Sequence, residues 1–272
     1  MNRPTLALLA LLALFTSACY SAPITNRSQL LLLSERAEVE IGESAWQQTL
    51  AEAQGKGQLV RSGAQAQRVQ RVGEAIAEAA RTHPETADKA SRYAWEFVLL
   101  NDPQVNAWAL PGGYSAVYTG LLSVTQSEDE LAVVLGHEVA HALARHSGER
   151  MSQQLILDLG MNAADLLSGE LDPESRELLM QSLGMVGNTG FILPFSRKHE
   201  SEADHIGLFL AADAGYDPRA AVSLWERMAQ QGGQRPPEFL STHPSEATRI
   251  ARLQELMPKA LKRYNKAKAA GR

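Results

Sequence analysis

Cysteine is almost absent from this sequence, because Cys19 is the single cysteine among 272 residues. No disulfide can therefore form within the chain. Positive charge is not in excess either: the net charge is −5, so nucleic acid is not an obvious partner. The chain has no internal repeat, and no run after residue 33 is long and apolar enough to span a bilayer. Its length and its hydrophobic content of 44% indicate a globular protein of one or at most two domains.

The N-terminal 18 residues have the pattern of a secretion signal. A short positive start precedes the apolar segment Leu6–Phe15, and small residues then lead to Cys19. This pattern resembles a bacterial lipoprotein signal, in which Cys19 is lipidated and becomes the mature N-terminus. The alternative is an ordinary cleaved signal with an incidental cysteine. Because Tyr20 is not an acidic retention residue, the resemblance implies an anchor in the outer membrane of the bacterial envelope, facing the periplasm.

After this signal we expect a tether over residues 19–29 and a single domain over residues 30–272. Long helical patterns flank three consecutive short runs rich in aromatic and branched residues, which predict strands. Tight turns join these runs, so an antiparallel meander is expected. The last segment, Lys259–Arg272, has six basic and no acidic residues and reads as a solvated basic tail. The strands are predicted over Arg92–Leu100, Val105–Leu110 and Tyr114–Tyr118.

The stretch His137-Glu138-Val139-Ala140-His141 carries the strongest chemical signal. Ser127 and Glu130 form a capping box, so a helix is predicted to begin there. Positions four apart on a helix differ by only about 40° in azimuth, so His137 and His141 project side by side. Two neutral imidazoles suit one Zn²⁺ ion, and the neighbouring Glu138 suits removal of a proton from a water on that ion.

A third ligand must come from elsewhere in the chain. Ala144 and Ser147 stand where the metzincin pattern needs Gly and His, so that class is excluded. A helix predicted from His199 places Glu200 and Asp204 on one face, with Glu202 about 160° from Asp204. We therefore expect Glu200 to complete the zinc site and Asp204 to orient a ligand histidine.

These segments together resemble the HtpX and CAAX-prenyl-protease family of zinc metallopeptidases, the minigluzincins. The resemblance lies in HEVAH, in ESEAD about sixty residues later, in STHPS, and in NAWALPGG before the metal helix. With the signal segment, the chain most resembles the small, LoiP-like lipoprotein branch of that family. The resemblance implies an α+β zincin-like domain, mostly helical, with a small antiparallel sheet beside the metal helix.

His243, in the STHPS segment, has two possible roles that predict opposite effects. Its imidazole could reach the zinc and hold the enzyme off, or it could stabilise the oxyanion, a task for which Arg249 is a second candidate. The glycine-rich residues 184–190 could form a flap over the site. His146, after the metal helix, is expected to be structural, since a continuing helix would turn it about 140° from His141.

The expected function is that of a zinc-dependent endopeptidase. The resemblance implies substrates among unfolded or misassembled envelope proteins, and hence a role in protein quality control. The strand before the metal helix would border the cleft, where an extended peptide can pair with it. The alternative is a chaperone-like outer-membrane assembly factor whose peptidase activity is minor or gated.

Overall fold

The computed structural model describes residues 19–157, 196–231, 239, 243 and 248–272. Most of these residues are helical, and a small sheet lies beside the helices, which confirms the predicted α+β class. The predicted signal, the glycine-rich residues 184–190 and most of the STHPS segment lie outside the described residues. The helices are α1 (Glu35–Gly55), α2 (Ala64–Thr82), α3 (Ala87–Arg92), α4 (Thr119–Val124), α5 (Glu128–Leu143), α6 (His146–Leu157), α7 (Arg197–Asp213), α8 (Ala220–Gln231) and α9 (Arg249–Ala269).

The main sheet is mixed and does not form the predicted meander. Its strands lie in the order β3 (Leu59–Val60), β4 (Glu96–Leu100), β6 (Tyr114–Tyr118) and β5 (Ala107–Leu110), with β4 parallel to β6 and the other pairs antiparallel. The hairpin connection between β5 and β6 follows the prediction, but β6 inserts between β5 and β4. Strand β5 therefore lies at one edge of this sheet and contacts α5.

The expected tether is a hairpin that contacts the domain. Strand β1 (Cys19–Ser21) pairs antiparallel with β2 (Ser28–Leu30). Ala22 is 1% exposed and belongs to the main hydrophobic core. The turn also carries Thr25 and Arg27, whose side chains donate hydrogen bonds to the buried carboxylate of Glu202. The side chain of Gln29 is buried and donates a hydrogen bond to the carbonyl of Ala144.

Helix α5 is the centre of the domain. The Ser127 side chain accepts a hydrogen bond from the backbone N–H of Glu130, as the capping box predicts. Every residue from Glu130 to Leu143 is buried. Helix α7 crosses α5 at a pair of glycines: a Cβ atom placed on Gly207 would lie 2.6 Å from the backbone nitrogen of His137. The absence of side chains at Gly136 and Gly207 lets the two helices approach closely.

The basic C-terminal segment is part of a helix and not the expected solvated tail. Helix α9 runs to Ala269 and packs against α7. Ala260 is fully buried, and the Arg263 guanidinium lies 2.7 Å from the Asp213 carboxylate. The basic residues therefore lie on the outer side of a packed amphipathic helix. Within the described ranges, no helix combines the length and the apolar character that crossing a bilayer requires.

Candidate metal centre

The two histidines of the HEVAH stretch lie side by side on α5. His137 and His141 are each 2% exposed, and their Nε2 atoms are 3.0 Å apart. Burial holds the pKa of His141 well below its ordinary value, so its imidazole is neutral, which is the form that binds metal. Burial would also lower the pKa of His137, but Glu200 and Asp204 outweigh it and raise that pKa to about 9. The same negative field favours a metal cation.

Glu200 reaches this pair from the first turn of α7. Its two carboxylate oxygens lie 3.3 Å from Nε2 of His137 and 3.4 Å from Nε2 of His141. Burial would raise the pKa of Glu200, but His243 and His137 outweigh it and hold that pKa well below its ordinary value. Glu200 is therefore a carboxylate directed at the two imidazoles.

The spacing of these atoms fits a tetrahedral metal ion. Ligand atoms about 2.0–2.1 Å from zinc stand about 3.3 Å apart at the corners of a tetrahedron. The two Nε2 atoms are 3.0 Å apart, Oε2 of Glu200 lies 3.3 Å from Nε2 of His137, and Oε1 of Glu200 lies 3.4 Å from Nε2 of His141. The ligand atoms of His137, His141, Glu200 and His243 all lie within 4.8 Å of one another. The donor set, two or three imidazoles and one carboxylate, suits zinc.

Glu138 points to the same space from the next position on α5. It is 1% exposed, and burial raises its pKa above the ordinary value for glutamate. Among the described residues, its Oε1 atom has no hydrogen-bond partner, and Nε2 of His243 is 3.5 Å away. A buried carboxylate oxygen without a partner is costly in a folded protein. Such an oxygen is suited to accept a proton from a bound water or substrate.

His243 lies directly among the expected ligands. Its Nδ1 atom is 3.2 Å from Nε2 of His137 and 3.1 Å from Oε1 of Glu200. The ring stacks on Phe239, with centroids 4.5 Å apart. The backbone N–H of Phe239 in turn donates to the carbonyl of Val105, just before β5. Phe239 gave no signal in the sequence, because it belongs to no periodic pattern.

Asp204 and Arg249 lie behind His137. The Asp204 carboxylate is 3.0 Å from Nδ1 of His137, on the opposite side of the ring from the ligand cluster. Arg249 donates to Asp204 at 2.6 Å and to Glu200 at 3.4 Å, and its guanidinium lies 3.3 Å from the centroid of a Trp225 ring. Burial would raise the pKa of Asp204, but Arg249 and His137 lower it. Arg249 is thus placed to hold the two carboxylates, and its expected role at the oxyanion stays a prediction.

His146 is closer to the centre than the sequence indicated. Helix α5 ends at Leu143, and Arg145 adopts a left-handed conformation with φ of 54°. The chain therefore turns back, and Nδ1 of His146 lies 2.8 Å from Nδ1 of His141. The expected angle of about 140° assumed that one helix continued, and the break at Arg145 removes that assumption. His146 contacts a ligand histidine from behind without joining the four-residue cluster.

Known proteins match most of the domain. The chain is 45% identical over 171 residues to mitochondrial metalloendopeptidase OMA1 of Schizosaccharomyces pombe, across 61% of this chain and 48% of that protein. It is 35% identical over 250 residues to mitochondrial metalloendopeptidase OMA1 of Homo sapiens, across 89% and 46%. It is 32% identical over 169 residues to the beta-barrel assembly-enhancing protease of Yersinia pestis, across 59% and 34%. The chain thus spans about half the length of these relatives, or less.

The predicted location at the bacterial outer membrane is wrong. Mitochondrial enzymes match at identities up to 45% and across up to 89% of this chain, whereas the bacterial assembly-enhancing proteases match at 34% and 32% across 57% and 59% of it. The prediction rested on a short N-terminal segment, whose sequence is read by targeting machinery and carries no constraint from folding. Cys19 is the first residue of β1, and its lipidation stays a prediction.

The family itself is assigned by a match to most of the domain. Residues 63–257 match the sequence model of peptidase family M48. This range includes α5, α7, His243 and Arg249, and therefore all the residues expected to bind metal or to act beside it. The match confirms the predicted class of metallopeptidase, and the chain belongs to peptidase family M48.

Proposed function

We propose that this chain is a zinc-dependent endopeptidase that cleaves extended segments of unfolded or misassembled proteins. The observation that carries the proposal is the convergence of His137, His141 and Glu200, with Glu138 beside them, whose Oε1 atom makes no hydrogen bond to any residue that the structure describes. A zinc ion held by these three side chains would activate water and polarise the scissile carbonyl. Asp204 orients His137 through its Nδ1 atom.

Glu138 performs the proton transfers in this mechanism. It accepts a proton from the attacking water and then passes that proton to the leaving amine. Its raised pKa, caused by burial, brings its proton affinity closer to that needed for both steps. The substrate chain would lie along β5, because this edge strand packs against α5 and offers main-chain hydrogen bonds to an extended peptide.

The test is the substitution Glu138→Gln, which keeps the size of the side chain and removes the base. We expect the variant to retain zinc and to cleave unfolded casein at least about 100-fold more slowly than the wild-type chain. Glu128→Gln is the matched control, because Glu128 begins the same helix and its side chain is 42% exposed. Equal cleavage by Glu138→Gln and the wild-type chain would refute the proposed role of Glu138 and the peptidase mechanism built on it.

A second candidate is a chaperone-like assembly factor whose peptidase activity is gated. It is supported by His243, whose Nδ1 atom lies 3.2 Å from Nε2 of His137 and 3.1 Å from Oε1 of Glu200, within the ligand cluster. It is also supported by the name of the Yersinia pestis relative, a beta-barrel assembly-enhancing protease. The Glu138→Gln variant distinguishes the two functions. An assembly factor with this substitution would still suppress aggregation of unfolded protein, while a peptidase would lose its cleavage activity.

A further inference from the structure

A second cluster of charged and histidine side chains lies behind His141, opposite the metal ligands. It joins three separate parts of the chain: the turn of the N-terminal hairpin, helix α6 and helix α7. Its members are mostly buried, which makes each hydrogen bond within it consequential. The cluster consists of Arg27, His146, Glu149, His199 and Glu202.

Metal binding by His141 fixes which atom donates and which accepts in each hydrogen bond from His141 to Glu202. When Nε2 of His141 faces a metal, its Nδ1 atom carries the proton. That atom lies 2.8 Å from Nδ1 of His146, which must therefore accept. His146 is then protonated on Nε2, which donates to Glu202 across 2.9 Å. His141 is thus oriented by a carboxylate through an intervening imidazole, whereas His137 contacts Asp204 directly.

The hydrogen-bonded chain from His141 through His146 to Glu202 forms a relay, and Arg27 binds Glu202 at its outer end. Its Nε atom donates to the same Glu202 oxygen across 2.7 Å, and the Thr25 hydroxyl donates to the other oxygen. The remaining nitrogens of Arg27 bind both oxygens of Glu149 at 3.0 and 2.7 Å. Glu149 accepts from His199, whose ring stacks on His146 with centroids 4.5 Å apart.

We propose that Arg27 is a positioning residue for the metal centre, acting through Glu202 and His146 on His141. This inference rests on the metal site of the proposed function. It assigns a role to the hairpin of residues 19–30, which would otherwise be a structural appendage. The hairpin is fixed to the end of the metal helix by a second contact, in which Gln29 donates to the Ala144 carbonyl across 2.5 Å.

The test compares Arg27→Met with Arg227→Met in the full chain. The two arginines match closely: each side chain is 24% exposed, and each makes a two-nitrogen contact to a buried or nearly buried glutamate. Arg227 binds Glu130 at the other end of α5 and has no hydrogen-bond path to His141 among the contacts above. Zinc affinity is measured by competition with a chelating dye, and Co²⁺ is added separately to record its visible spectrum.

We expect Arg27→Met to weaken zinc binding about 10-fold, at the lower end of the loss for residues that orient a ligand. The Co²⁺ spectrum should change as the position of His141 loosens, and Arg27→Lys should restore part of the affinity. Arg227→Met should bind zinc like the wild-type chain while losing a similar amount of thermal stability. Equal zinc affinity in the Arg27 and Arg227 variants would overturn the proposal.

A double-mutant cycle tests the path itself. His146→Phe keeps a ring in the same volume and removes the acceptor for His141. If Arg27 acts through His146, adding Arg27→Met to His146→Phe should change zinc affinity by less than about twofold. A full and additive loss would refute the relay. A wild-type chain that binds no zinc would refute the proposed metal site instead, so the two failures are distinguishable.

Discussion

His243 is the residue whose position bears most directly on control of activity. Its Nδ1 atom lies within 3.2 Å of a nitrogen of His137 and an oxygen of Glu200, where a fourth ligand or a substrate oxygen would stand. This position favours the inhibitory role over stabilisation of an oxyanion. The ring would have to move before substrate could bind at the same corner.

We therefore predict that His243→Ala accelerates peptide cleavage while zinc stays bound by the other three ligands. A rise of about tenfold corresponds to a free-energy difference of only ~1.4 kcal/mol in favour of the arrangement in which His243 occupies the ligand position. The acceleration is measured as the rate at which the variant cleaves a short fluorogenic peptide at saturating zinc. His205→Ala is the control, because His205 packs against Phe209 elsewhere on α7.

The opposite result would have an equally definite meaning. A fall of roughly 10²–10³ would assign His243 to the oxyanion, since that is the usual loss for one donor. An unchanged rate would return His243 to a purely structural role.

At the scale of elements, the contact between α5 and α7 sets the geometry of the metal centre. His137 and His141 belong to one helix, and Glu200 and Asp204 to the other. The helices meet where a Cβ atom on Gly207 would lie 2.6 Å from backbone atoms of Gly136 and His137. A side-chain atom added at this crossing would push the two helices apart and so increase the distance from Glu200 to His137 and His141.

We predict that Gly207→Ala lowers the free energy of unfolding by roughly 1–3 kcal/mol, the usual cost of overpacking. Zinc affinity should fall as well, because Glu200 moves with α7. Urea unfolding and dye competition measure the two effects. Gly55→Ala is the control: this glycine ends α1, and a Cβ atom there meets nothing within 4 Å. Wild-type zinc affinity in Gly207→Ala would show that the crossing does not position Glu200.

The break between α5 and α6 is the second element that decides the site. Arg145 has a positive φ, which is uncommon for a residue other than glycine. The conformation is held by bonds from its guanidinium to the Glu38 carboxylate, at 2.9 and 2.6 Å, and to the Leu33 carbonyl at 2.9 Å. These partners are more than a hundred residues away in sequence, so the turn that brings His146 to His141 depends on tertiary contacts.

For the whole molecule, the metal centre ties together segments that are distant in the chain. Its ligand cluster comes from α5, α7 and the residue His243. A metal bound only by the folded state stabilises that state by mass action.

Chelation of zinc is therefore predicted to lower the melting temperature of the full chain. At free zinc 100-fold above the dissociation constant, the loss is about 2.7 kcal/mol. For a domain of this size, that corresponds to roughly 5–10 °C. Differential scanning calorimetry with and without EDTA measures the shift. Glu200→Gln, which removes one ligand, should show little further change with EDTA, and an unshifted wild-type chain would contradict a site that forms only on folding.

Local sequence determined those parts of the protein that depend on spacing within one helix. The capping box located the start of α5, and the 3.6-residue period placed His137 beside His141 and Glu200 beside Asp204. These relations need no distant contact, because the helix itself fixes the angle between its side chains. The family resemblance rested on the same stretches and was confirmed.

Relations between segments were decided only by the tertiary structure. The parallel pairing of β4 with β6, the return of His146 and the contacts of Arg27 all join residues whose chain spacing carries no angular information. Arg27 and Glu202 are 175 positions apart, and nothing in either neighbourhood encodes the other. The helical period determined which side chains could bind a metal together. The packing of the hairpin, α6 and α7 determined which residues, such as His146 and Arg27, support those ligands.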